Sequence, residues 1–154
     1  MSQKPDSVTL EHARQHHVGR LLHRAARAYN ILALDKLHER GHTTLSLAHT
    51  NLLPYLDIGG TRIVTLAERA GMTKQAAGQL VTELEKGGYV QRHPDPDDGR
   101  ATRVQFTAAG WHYLLDAQAI KQEIEAEYRA ALGQPLWEEL NTALRRLVGE
   151  APPL

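Results

Sequence analysis

Two stretches carry side chains whose types and spacing suit chemistry. In TKQAAGQLVT, residues 73–82, Lys74, Gln75, Gly78 and Gln79 recur at helical intervals between Thr73 and Thr82. Lysine donates to a guanine edge and glutamine bridges an adenine edge; glycine lets a backbone come close to a partner, and hydroxyls suit phosphate oxygens. In HPDPDDGRATRVQFT, residues 93–107, two prolines, three acids, a glycine and two arginines fall within fifteen positions. The prolines stiffen a loop and Asp97-Asp98-Gly99 turns it. Arg100 and Arg103, with Arg92 just ahead, bring positive charge to phosphates or to a narrow minor groove. Both stretches point to recognition of double-stranded DNA.

Such side chains work only if elements of fixed geometry present them. Over residues 61–90, Ile63, Leu66, Ala67 and Ala70 predict one short helix and Ala77, Leu80 and Leu84 a second, with Gly71 and the N-cap candidate Thr73 between them. Two helices around so tight a turn read as helix-turn-helix. Lys74, Gln75, Gly78 and Thr82 lie away from the apolar face of the second. After Gly87-Gly88 the runs Tyr89-Val90-Gln91-Arg92 and Thr102-Arg103-Val104-Gln105-Phe106 alternate, which predicts a β-hairpin with a long polar loop. A hairpin after helix-turn-helix is the order of a winged helix, and the loop is then its wing tip.

The flanks read as helices. Val18, Leu21, Leu22, Ala25, Tyr29 and Leu32 predict one long helix over residues 9–39, and Ser46 is the N-cap of another that runs to Gly59-Gly60 with a bend at Pro54. Beyond the hairpin, Thr107 caps a long helix that Gly133 ends, and Pro135 opens a last one striped by Leu136, Leu140, Ala143 and Leu147. The fold class is mainly α with a small β-hairpin wing: a winged helix-turn-helix flanked by N- and C-terminal dimerisation helices. Residues 1–45 are expected to form the first dimerisation helix, 46–110 the DNA-binding region and 111–154 the remaining dimerisation helices, within one intertwined domain. The outer stripes are too long for one small lobe to bury, so a homodimer is the expected outlet.

Residues 66–110, LAERAGMTKQAAGQLVTELEKGGYVQRHPDPDDGRATRVQFTAAG, resemble the MarR family of bacterial transcription regulators. The family's wing signature, acid-x-Arg-Ala, stands here as Asp98-Gly99-Arg100-Ala101. The resemblance implies two winged helices straddling a near-palindromic site in double-stranded DNA, with second helices in successive major grooves roughly 34 Å apart. It implies base-edge contacts from Lys74, Gln75, Gly78 and Gln79, phosphate contacts from Thr73 and Thr82, and a wing-tip role for Arg100, oriented by a salt bridge from Asp98. Many members carry an arginine where Gln79 stands. It also implies a small aromatic or phenolic effector between the dimer helices and the winged helix, with His23, Arg27, Asn30, His49, Tyr55, Trp111 and Tyr113 as candidates. Tyr55 and Trp111 fit the protein core equally well, and a regulator without a dedicated effector is the alternative within this fold.

Composition narrows the rest. Eighteen basic and eighteen acidic residues cancel. Within residues 59–110 the balance is nearly even too, Arg62, Arg69, Lys74, Lys86, Arg92, Arg100 and Arg103 against Glu68, Glu83, Glu85, Asp95, Asp97 and Asp98. Affinity for DNA is then expected to be moderate and salt-dependent. The absence of cysteine excludes disulfides, thiol redox sensing and thiolate metal sites. A metal reading rests on His12, His16 and His23, spaced to share a helix face, and a histidine-based metal-responsive regulator is the alternative from another class. No cofactor is called for. No phosphate-cradling glycine loop, Ser-His-Asp elbow or paired acids suggest an enzyme. No apolar run approaches the roughly 20 residues of a membrane span and the N-terminus lacks a signal-peptide centre, so a cytoplasmic location without membrane association is expected.

Overall fold

The computed structural model describes residues 7–150. The single helix predicted over residues 9–39 is two, α1 (Ser7–His16) and α2 (Val18–Glu39). Neither glycine nor proline marks the break. His17 leaves the helix at φ −82°, ψ 149°, and its imidazole accepts the Arg20 N–H at 3.2 Å, so the side chain caps a new helix where periodicity shows none.

Ser46 caps α3 (Leu47–Leu52) as expected, and the cap is reciprocal. Its hydroxyl accepts the His49 N–H while the His49 ring accepts the Ser46 N–H at 3.1 Å, a capping box with histidine in the usual Glu/Gln position. The helix does not run on to Gly59. Pro54 has no N–H to continue it, and the chain tightens into a single 3-10 turn, Leu53–Tyr55. Proline ends this helix where a bend was expected.

A strand of two residues follows, β1 (Thr61–Arg62), too short to alternate and so absent from the sequence reading. Then come α4 (Ile63–Arg69), α5 (Lys74–Lys86), β2 (Val90–Asp95) and β3 (Asp98–Phe106). Gly71 turns between α4 and α5 with φ 64°, a left-handed conformation that glycine accepts without steric cost. The three strands form an antiparallel sheet in the order β1-β3-β2. The long loop expected at the wing is instead a tight turn: pairing runs from Val90↔Phe106 out to Pro94↔Thr102 and Asp95↔Asp98. Pro94 is tolerated because β2 is an edge strand.

α6 (Ala108–Leu132) returns across α2, and α7 (Gln134–Leu147) follows Gly133. The core sits where these elements meet: Leu37, Leu52, Leu66, Val81, Leu84, Val90, Val104, Ile120 and Ile124 are all buried. α7 buries none of its residues; Leu136, Leu140, Leu144 and Leu147 face outward, as do Leu10, Val18, Leu21 and Leu22 at the other end of the chain. No helix of the described residues is long and apolar enough to cross a membrane.

One junction is closed by the lack of a side chain. The Tyr89 carbonyl accepts the Thr107 N–H, and a Cβ on Gly110 would lie 2.1 Å from that same oxygen. Because the obstacle is backbone, Gly110→Ala must displace the start of α6 from the sheet. Overpacking of this kind costs about 1–3 kcal/mol, equivalent to a fall of about 3–10 °C in the unfolding midpoint. Differential scanning calorimetry of the two proteins measures it; an unchanged midpoint would show that the junction yields freely.

Candidate nucleic-acid interface

The first turn of α5 is built by Thr73, whose hydroxyl accepts the Ala76 N–H at 3.1 Å. Ala77, Val81 and Leu84 face the core, which turns Lys74, Gln75 and Gln79 to solvent. Lys74 and Gln75 make no side-chain bond among the described residues. Gln79 donates to Glu83 at 2.9 Å, and Thr82 donates to the Gly78 carbonyl at 2.9 Å. A Cβ on Gly78 would meet nothing within 4 Å, so relief of packing inside the chain does not account for that glycine.

The wing arginines divide into two kinds. Arg92 reaches back to α5, with one Nη on Glu85 and the other on the Gly78 carbonyl at 3.1 Å and the Thr82 hydroxyl at 2.9 Å. It is a strut between β2 and α5 and not the free cation expected from its type. Arg103 lies 3.5 Å from Asp95, and its Nε is buried without a partner. Arg62 donates to the same carboxylate at 2.6 Å. Asp95 is 2% exposed, and Arg62 followed by the Asp97 N–H pulls its pKa down to about 2. Sequence reading missed Arg62 and Asp95. The signal was faint, an acid flanked by prolines in a segment taken for loop.

Arg100 is of the other kind, exposed and without an ion pair among the described residues. The expected Asp98–Arg100 salt bridge is not formed. Asp98 instead accepts the Arg100 backbone N–H at 3.1 Å, the local bond that a short acid makes two residues ahead in a tight turn. Asp98 thus shapes the turn and leaves the guanidinium free. Of the seven basic residues of the lobe, Arg62, Arg69, Arg92 and Arg103 are ion-paired. Lys74, Lys86 and Arg100 have no salt bridge among the described residues, and Lys74 and Arg100 line one groove of about 530 Å³ between α4, the start of α5 and β3.

The effector candidates do not form a single site. His23, Arg27 and Asn30 on α2 come together with Leu47 and Asn51 around a depression of about 240 Å³. His49 is buried and joins α3 to α5 through Glu83 at 3.0 Å. Trp111 is exposed beside Phe106, and the carbonyl of half-exposed Tyr55 accepts from Arg69. Tyr113 is core, its hydroxyl pushed up to about 12 by burial and by Tyr89. His12 and His16 stack at 4.2 Å, but His23 belongs to the depression on α2. The group of three metal-ligating side chains found among the described residues lies elsewhere, where His42 meets α6.

Residues 43–101 match the MarR family. Among solved structures, a probable transcriptional regulator from Pseudomonas aeruginosa is 27% identical over 86% of this chain and 98% of its own, with a TM-score of 0.67. MarR from E. coli in its apo form is 21% identical over 86% of this chain and 96% of its own, with a TM-score of 0.72. A MarR transcriptional regulator from Methanosarcina mazei is 20% identical over 85% and 93%, with a TM-score of 0.71. No curated protein matches the chain.

The Asp95 clamp has a pH signature. Its folded pKa is about 2 and its unfolded value about 3.9, so its contribution is present above pH 4 or so and is lost as pH falls toward 2. Asp95→Asn should unfold at lower temperature than wild type at pH 7, and the difference should close between about pH 4 and 2. Thermal unfolding of both proteins across that range measures the gap; one that stays constant with pH rules out the charge on Asp95 as its source.

Proposed function

We propose that the chain, whose residues 43–101 match the MarR family of transcriptional regulators, is a cytoplasmic homodimeric repressor of that family that grips a pseudo-palindromic operator and is released by a small aromatic or phenolic acid. The observation that carries the DNA half is the division of charge. Arg62, Arg92 and Arg103 are spent on holding the wing to α4 and α5, and Arg69 on tying α4 to Asp57, while Lys74 and Arg100 stay unpaired around one groove. In this reading Lys74, Gln75, Gly78 and Gln79 meet base edges, Thr73 and Thr82 meet phosphates, and Arg100 reaches the backbone from the wing. Arg92, Arg103 and Asp98 act at one remove, by fixing the wing.

Residues 46–110 then bind DNA, and residues 1–45 and 111–154 pair with a second copy. Support for pairing comes from the outward leucines of α2 and α7. Release follows if the ligand favours a different spacing of the two α5 helices, since only differential affinity shifts such an equilibrium. Arg27 and His23 give the depression on α2 a cation and a donor for a carboxylate, and Leu47 gives an apolar wall for a ring.

Selection from a random DNA library at near-physiological salt tests the reading, and an enriched palindrome with half-sites about one helical turn apart is expected. On that operator Lys74→Ala should lose about 10- to 100-fold in affinity, with much less loss on scrambled DNA, because a base contact is worth about 1–3 kcal/mol. Arg100→Ala should weaken both and lower the salt slope by about one. Equal losses from Lys74→Ala on both DNAs would remove it from base reading.

Gly78→Ala separates stability from binding. The methyl meets no neighbour in the chain and improves helix propensity by up to about 1 kcal/mol, so the unfolding midpoint should rise. Operator affinity should nevertheless fall if DNA approaches the backbone there. Titration by fluorescence anisotropy reads the affinity, and full retention of it would refute the close approach.

A further inference from the structure

We propose that His42, His112 and Asp116 form a site for a divalent transition-metal ion of the zinc class, set between the α2–α3 connection and the first turns of α6. Their ligand atoms lie within 4.8 Å of one another. His42 Nε2 is 3.0 Å from one carboxylate oxygen of Asp116, and His112 Nδ1 is 3.2 Å from that same oxygen. His112 and Asp116 are four apart on α6, the spacing that puts two ligands on one helix face. Two imidazoles and a carboxylate suit zinc, cobalt or nickel, whereas magnesium and calcium take oxygen.

The surroundings are those of a ligating set. His42 is 7% exposed, and its Nδ1 is 3.0 Å from the Tyr89 hydroxyl, a second partner of the kind that fixes a ligating ring. When Tyr89 accepts from Nδ1–H, the Nε2 lone pair faces the Asp116 carboxylate, and a cation between them resolves the repulsion. The other Asp116 oxygen is held by Arg40 at 3.3 Å, which leaves the first oxygen aimed at the histidines. Arg40 is itself paired with Glu123, which offsets its charge beside an incoming cation. The His112 side chain is 72% exposed, so the ion has an approach from solvent and room for water as a fourth ligand.

The site also touches the DNA-reading lobe. Tyr89 bonds back to Leu84 near the end of α5 and onward to Thr107 at the start of α6. Metal that draws His42 and Asp116 together therefore acts on the connection between α5 and the sheet. This coupling rests on the DNA reading; the metal site does not.

The test uses the full chain, stripped with a chelator and titrated with zinc chloride against a chromophoric competitor, and with cobalt(II) followed by visible absorption. One zinc per chain and the strong absorption of four-coordinate cobalt are expected. His112→Ala, at an exposed position that leaves the fold intact, should weaken zinc at least tenfold and abolish the cobalt bands, while His12→Ala/His16→Ala should change neither. Tyr89→Phe should weaken zinc by about 10-fold or more, as loss of an outer partner does. Wild-type zinc affinity in His112→Ala, or loss confined to His12→Ala/His16→Ala, would overturn the site. On the selected operator, zinc should change the Kd of wild type about fivefold or more and leave that of His112→Ala unchanged; no change in wild type would overturn the coupling. Failure to bind any DNA specifically, with one zinc still bound, would count against the DNA reading alone.

Discussion

The winged lobe depends on a buried carboxylate. Asp95 is almost wholly enclosed at the tip of β2, with Arg62 from the β1–α4 junction on one side and Arg103 from β3 on the other. A buried charge is tolerable only when paired, and removal of either guanidinium leaves the acid short of a partner. The wing therefore cannot swing away from α4 without exposing that group. Arg92 adds a second fixed point by joining β2 to Glu85, Gly78 and Thr82 of α5. Between them the two clamps set the walls of the groove that Lys74 and Arg100 line. The cations that make the groove rigid are a different set from those left to act in it.

That division was only half legible in the sequence. Lys74, Gln75 and the exposed face of α5 follow from helical period and from the two punctuating residues Gly71 and Thr73, all local features. Arg100 follows from the turn around it. Arg92 and Arg103 do not, because an arginine is the same letter whether it is free or clamped, and their partners lie on other elements, Glu85, Thr82 and Gly78 on α5 for Arg92 and Asp95 on β2 for Arg103; Arg62, which shares Asp95, is 33 residues from it. The break at His17 and the stop at Pro54 were missed for a related reason, since apolar periodicity registers which face is buried and is blind to a cap or a lost N–H within it. β1 has only two residues and owes its existence to β3.

The ends of the chain pose a different physical problem. Leu136, Leu140 and Leu144 lie on one exposed face of α7, whose main packing partner among the described residues is α6. Burial of one leucine side chain is worth about 1.5–3 kcal/mol, so an array of them facing water favours association with a like surface. α6 links this face to the lobe, since it begins on the sheet at Gly110 and packs along α2. In the proposed homodimer, a change in how two copies meet is then carried to the winged helix by one continuous element.

Two histidines complete that linkage from the other side. His49 ties α3 to Glu83, and His42 ties the α2–α3 connection to Tyr89, just beyond the end of α5. The C-terminal half of α5 is thus held at two points by the segment that also walls the depression around Arg27 and Asn30. A ligand that moves α3 relative to α2 must either break the bond from buried His49 to Glu83 or take α5 with it. The second course keeps the buried His49 ring paired, so displacement of α3 and displacement of α5 are one motion. On the proposed reading, that is how an event more than one helix away from the DNA groove changes the groove's position.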